Sequence, residues 1–129
     1  MVVHAVAALV IKDRKLLVAK EFNEKEYHTP GGTINFSETP EEALKRELIE
    51  ETGVQLLSME PFVKINGKTF DGDNLLLETF LVEIKGMPKP SSEIESLQWI
   101  DKDYQNDGVK LTIPAEKQLL KLIETNLIE

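Results

Sequence analysis

Glu47, Glu50 and Glu51 stand three and four positions apart, so on an α-helix their carboxylates share one face. Like charges a single turn apart repel, and such a face is an electrostatic liability unless a cation neutralises it. Hard oxygen donors, with no cysteine or histidine among them, suit Mg2+ or Mn2+ far better than Zn2+. The chemistry that follows is phosphate chemistry, in which a divalent ion screens the substrate oxygens and activates a bound water. An isolated E-x-x-E-E is more often a solvated helix face than a site. The residues around it decide the matter.

From Gly32 to Val54 the chain reads GTINFSETPEEALKRELIEETGV. Gly32 is followed after five residues by Glu38, and after seven more by Arg46-Glu47-Leu48, then Glu50-Glu51 and Gly53-Val54. This segment resembles the Nudix box, G-x5-E-x7-R-E-U-x-E-E-x-G-U with U bulky and aliphatic, and every fixed position is met. The resemblance implies a pyrophosphohydrolase whose metal is held by Glu47, Glu50, Glu51 and the backbone carbonyl of Gly31. It also implies that Arg46, which cannot ligate a metal, pairs with a neighbouring carboxylate and orients it. Gly32 and Glu38 belong to the supporting loop, where Glu38 either completes the metal shell through water or holds the loop by hydrogen bonds.

In this family the general base is a box glutamate or a glutamate of a later loop. Glu93 is the loop candidate, because it lies a few residues before Trp99, as in MutT-type members, and its spacing is favoured over that of Glu95. The expected catalytic set is therefore Arg46, Glu47, Glu50, Glu51 and Glu93. His28, beside Pro30-Gly31-Gly32, is placed to touch a phosphate. Trp99 is the only tryptophan and a candidate to stack on a base, although a single aromatic in an apolar run is more often core. Asn35 and Ser37 replace the acidic residue and the glycine common in the family's loop.

The elements that must position these groups follow from patterning. Residues 2–11 read as a β-branched strand, 12–14 as a turn and 15–20 as its hairpin partner. Pro30-Gly31-Gly32 allows close backbone approach, and 33–36 reads as a short strand. Thr39 is an N-cap, Pro40 suits the first helical position, Glu42 completes a capping box and Gly53 stops the helix, giving a helix over 40–52. Residues 54–65 form a strand with Pro61 at an edge or bulge, Asn66-Gly67 and Asp71-Gly72-Asp73 are turns, and 74–84 and 97–100 are strands. From Pro114 onward, Leu119, Leu120, Leu122 and Ile123 give an amphipathic helix. The order resembles the α/β/α sandwich of Nudix domains, a mixed β-sheet between the box helix and a C-terminal helix.

At 129 residues, 41% of them hydrophobic, the chain is long enough for one domain with a real core, taken as 1–129. Fifteen basic against 23 acidic residues give a net charge of −8, which disfavours binding to a nucleic acid polymer but leaves a nucleotide-type small molecule open, since bound metal inverts the sign of an acidic pocket. The absence of cysteine excludes disulfides, thiolate catalysis and sulfur-ligated zinc. The apolar run near the N-terminus has no basic leader and is too short to span a bilayer, so the expectation is a cytoplasmic protein without membrane contact, monomer or homodimer.

Substrate choice lies outside the box. The proline of ADP-ribose hydrolases would fall near Phe70 and the tyrosine of diadenosine polyphosphate hydrolases near Asp71 or Gly72, and neither is present. The NADH-type array is also missing. The resemblance thus implies a Mg2+-dependent (deoxy)nucleoside triphosphate pyrophosphatase of MutT type. Its alternatives are a hydrolase for ADP-ribose, nucleotide sugars or dinucleoside polyphosphates, or a Nudix-fold module that binds nucleotide without cleaving it.

Overall fold

In the computed structural model, which describes residues 2–69 and 71–129, two sheets meet at Val10 and are packed between two helices. Phe70, where the ADP-ribose-type proline would fall, lies outside the described residues. The expected first strand is divided: β1 (Val2–Leu9) joins one sheet, while β2 (Ile11–Lys12) turns through Asp13 and Arg14 into β3 (Lys15–Glu21) in the other. Both turn residues are left-handed, with φ of 52° and 61°, the backbone hand that matches a two-residue hairpin to the twist of its strands.

β4 (Gly31–Thr33), α1 (Pro40–Thr52), β5 (Gln55–Lys68), β6 (Asn74–Lys85), β7 (Ile94–Ile100) and α2 (Ile113–Glu124) follow, with a 3-10 turn over Tyr104–Asp107 before α2. The larger sheet is ordered β4-β1-β6-β5 and is mixed, because β1 and β6 run parallel; the smaller, β2-β3-β7, is antiparallel.

Several boundaries move for local reasons. The short strand expected over 33–36 is instead Gly31–Thr33, where β4 presses so closely on β1 that a Cβ on Gly31 would sit 2.0 Å from the Val6 carbonyl oxygen. Asn66-Gly67 does not turn: β5 continues to Lys68 opposite Asn74, and the reversal is made by Thr69 and Asp73, with Gly72 at φ 85°. Pro61 does lie at a bulge, as its missing N–H requires. β7 starts at Ile94 rather than Leu97 because the register shift after Lys20 extends the pairing with β3.

The capping box forms: the Thr39 hydroxyl accepts from the Glu42 N–H at 3.1 Å, and the Glu42 carboxylate accepts from the Thr39 N–H at 2.9 Å. Gly53, at φ 73°, closes α1 onto the Ile49 carbonyl. Ala43, Leu44 and Leu48 then pack on Val6, Ala8, Val10, Leu17, Leu56 and Phe80. On the opposite side, Ala115, Leu119 and Leu122 of α2 pack on Leu9, Leu16, Val18 and Ile100. Leu120 does not join them and is 61% exposed, because the buried stripe runs 115-118-119-122 and leaves position 120 off its edge. The stripe's fourth member is a polar residue, the fully buried Gln118.

Candidate active site

The loop between β4 and α1 is held by one arginine. Arg46 Nε donates to Glu38 Oε2 at 2.7 Å and its Nη2 to Glu38 Oε1 at 2.9 Å, a bidentate fork, while Nη1 donates to Glu47 Oε1 at 2.8 Å. Nη2 also reaches the Thr33 carbonyl at 3.1 Å. Glu38 Oε1 accepts in addition from the Asn35 N–H at 2.8 Å, so both its oxygens serve the loop. These bonds, that of Arg46 above all, hold the Glu38 carboxyl below its usual range, and Arg46 is correspondingly fixed as a cation. Ser37 adopts φ 72°, so it keeps the left-handed geometry of the glycine that the family commonly has there.

Of the three box glutamates, Glu50 is exposed, Glu47 is buried and Glu51 retains only 1% exposure. Gly32 makes room for this arrangement: a Cβ there would lie 2.5 Å from Glu47 Oε1 and 2.8 Å from its carboxyl carbon. Burial raises the Glu47 pKa against the opposing pull of Arg46. Burial also pushes Glu51 up to about 8, opposed by the Gly31 N–H, which donates to Glu51 Oε1 at 2.7 Å, and reinforced by the charges of Glu47, Glu93 and Glu21. Among the described residues Glu51 has no ion pair with a lysine or arginine.

The loop before β7 is docked on the end of α1. Lys89 and Ser91 donate their N–H groups to the carbonyls of Thr52 and Glu51 at 3.0 and 3.1 Å, satisfying acceptors that a helix C-terminus leaves open. Ser92, at φ 57°, turns the chain so that exposed Glu93 enters the field of Glu47 and Glu51. The Ser92 hydroxyl bond is the main reason that the Glu93 carboxyl titrates low, with the nearby His28 contributing. Glu95 behaves otherwise. It is the residue skipped in the pairing of β3 with β7, so simple two-residue alternation between positions 93 and 95 is broken, and its carboxylate pairs with Lys20.

Trp99 is half-buried against the core beneath α1, opposite Leu17. His28 bridges to Ala19 of β3 and brings its ring against Glu51 and Glu21. Glu21 was invisible to spacing arguments, being thirty positions from Glu51 and brought near it by the β3 register alone. Also unforeseen is a buried chain in which the Thr29 hydroxyl donates to Gln118 Oε1 at 2.8 Å and Gln118 Nε2 donates to the Thr79 hydroxyl at 3.1 Å. A glutamine on the apolar stripe of α2 was its one signal.

Comparison with known proteins bears on this geometry. The model of the NUDIX domain matches residues 1–111. The chain belongs to the Nudix family. A "MutT-like protein" of Streptomyces ambofaciens is 28% identical over 122 residues, 93% of this chain and 74% of that protein. An "RNA pyrophosphohydrolase" of Actinobacillus succinogenes is 47% identical over 49 residues, 36% of this chain and 25% of that protein. The crystal structure of a MutT Nudix hydrolase from Burkholderia pseudomallei superposes with a TM-score of 0.80 at 19% identity, covering 95% of this chain and 98% of that one, which establishes the shared fold.

With its box intact, this Nudix protein is a pyrophosphohydrolase. Its donor set fits a divalent ion on two grounds: the carboxylate of Glu51 is buried without a cationic side chain, and Gly32 leaves the space that the carboxylate of Glu47 fills. No helix among the described residues is long and apolar enough to cross a membrane.

Proposed function

We propose that this Nudix protein hydrolyses (deoxy)nucleoside triphosphates to the monophosphate and pyrophosphate, with Mg2+ or Mn2+ held by Glu47, Glu50, Glu51 and the Gly31 carbonyl. The observation that carries the reading is Glu51, whose ionised form, buried beside three other carboxylates, requires a bound cation. When bound, the ion screens the phosphate oxygens and lowers the pKa of the attacking water.

The chain's own residues supply the rest. Arg46 holds Glu47 and the Glu38 loop in one geometry, so the ligand oxygens are set before substrate arrives. Glu93, ionised because its carboxyl titrates low, takes a proton from the water as the oxygen attacks phosphorus. The anhydride P–O bond breaks and its electron pair leaves with pyrophosphate. His28 lies at the edge of the same carboxylate cluster, and Trp99 packs partly buried against the core beneath α1. The MutT-like relative supports the substrate class, and the net charge of −8 disfavours a polymeric substrate.

A phosphate-release screen with Mg2+, coupled to inorganic pyrophosphatase for pyrophosphate and to alkaline phosphatase for phosphomonoester products, tests the reading across nucleoside triphosphates, oxidised deoxynucleoside triphosphates, ADP-ribose, NADH, nucleotide sugars, dinucleoside polyphosphates and 5′-triphosphorylated RNA, with enzyme-free blanks for substrates that the coupling enzymes attack. Fastest turnover on a triphosphate, with pyrophosphate as product, is the expected result. Preference for any other class overturns the substrate assignment. Nucleotide-dependent stabilisation without hydrolysis would make the protein a binding module.

A further inference from the structure

Beside the box face lies a second set of donors. Glu21, His28 and Glu51 each bring one ligand atom to within 4.8 Å of the others. His28 Nδ1 lies 2.8 Å from the Thr29 carbonyl oxygen, an acceptor only, so Nδ1 carries a hydrogen and Nε2 is the ring nitrogen left to take a ligand. That Nε2 is buried and has no hydrogen-bond partner; Glu21, at 3.9 Å, is too distant to be one. A buried imidazole nitrogen aimed between two carboxylates, with its other nitrogen tied to a backbone carbonyl, is the arrangement of a metal-binding histidine oriented by its neighbours.

The orientation is reinforced from across the fold. Thr29, whose carbonyl fixes the ring, is itself fixed through its hydroxyl by Gln118, which is fully buried and anchored to Thr79. Glu21 follows the register shift after Lys20 at the end of β3, with its Oε1 3.9 Å from His28 Nε2. The Thr29–Gln118–Thr79 chain has no part in the hydrolytic reading above.

We propose that Glu21, His28 and Glu51 form a mixed nitrogen and oxygen site for a divalent transition ion of the Co2+, Ni2+ or Zn2+ class, and that this site discriminates against Mg2+. Imidazole suits these ions, whereas Mg2+ keeps oxygen ligands and water. The proposal rests on Glu51 as a ligand, which it shares with the hydrolytic reading, and adds a preference that the box carboxylates alone do not provide.

The test needs no substrate. Pulsed electron paramagnetic resonance of the Co2+-loaded protein at liquid-helium temperature reads 14N of a bound imidazole, and calorimetric titration with Co2+ and Mg2+ reads affinity. Wild type is expected to show nitrogen coupling that His28→Gln abolishes. The same variant should weaken Co2+ binding by about tenfold or more while Mg2+ binding stays within about twofold. Glu21→Gln should weaken Co2+ comparably and keep the nitrogen signal. No nitrogen coupling in wild type overturns the proposal, as does an equal loss of Co2+ and Mg2+ affinity in His28→Gln. Because the coupling is read on wild type, poor folding of a variant leaves the test intact. Loss of hydrolysis with coupling retained refutes only the substrate reading, and the converse refutes only this one.

Discussion

Replacing Glu51 by glutamine should stabilise the metal-free protein, by an amount that grows with pH. Glu51 is raised from 4.5 in the unfolded chain to about 8 in the folded one. Between those values the native state binds more protons than the unfolded state, so stability falls as pH rises; the penalty is absent below pH 4.5 and complete above pH 8. At 1.36 kcal/mol per unit the full penalty is about 5 kcal/mol, and roughly 3 kcal/mol is already present at pH 7. Local relaxation and water entry reduce this, so a gain of at least about 2 kcal/mol is expected at pH 8.5. Glutamine keeps the side-chain shape, can still accept from the Gly31 N–H, and has Glu21 and His28 Nε2 as neighbours for its amide hydrogens. Urea unfolding of both proteins with a chelator present, at pH 5, 7 and 8.5, reads the difference. A gap that widens with pH is expected, and saturating Mn2+ should reverse the order, because wild type alone gains the binding energy. A gap equal at pH 5 and pH 8.5, or a variant less stable than wild type at pH 8.5, refutes the claim that this carboxylate is buried without a counter-charge.

Arg46→Lys keeps the charge but loses the fork onto Glu38 and the bond to Glu47, and should reduce metal affinity or kcat by about tenfold or more; unchanged kinetics would show that the fork does not orient a ligand. Gly32→Ala should displace the Glu47 carboxylate and weaken Mg2+ binding in calorimetry, whereas wild-type affinity would mean that Glu47 can move without cost. Glu93→Gln should lower kcat about a hundredfold with little change in KM, and Glu95→Gln, which breaks only the Lys20 pair, should be nearly silent; silence in both variants would shift the base to Glu47. Ser37→Gly should raise stability by about 0.5 kcal/mol in thermal unfolding, relief of left-handed strain exceeding the added chain entropy, and a loss would show that the serine side chain makes a compensating bond.

What the sequence determined by itself was local. Thr39, Pro40, Glu42 and Gly53 specify where α1 begins and ends, and the helical period then puts Glu47 and Glu51 on one side without reference to the rest of the chain. Pro61 marks a bulge for an equally local reason, its missing N–H. The box spacing carried the family for the same reason, since loop and helix are contiguous.

Tertiary structure decided everything that depends on which strands meet. The division of residues 2–11 between two sheets follows from pairing with β4 and β6 on one side and β3 on the other, which no window of sequence contains. Asn66-Gly67 lost its turn to β6, whose partners extended β5 past it. A register shift against the neighbouring strand left Glu95 out of the pairing, where its carboxylate meets Lys20. Helix α2 placed Gln118 inside the core to hold Thr29, and β3 brought Glu21 to His28 and Glu51. Hydrogen bonding between distant strands selects register, and register selects which side chains converge; a sequence records the side chains but not the convergence.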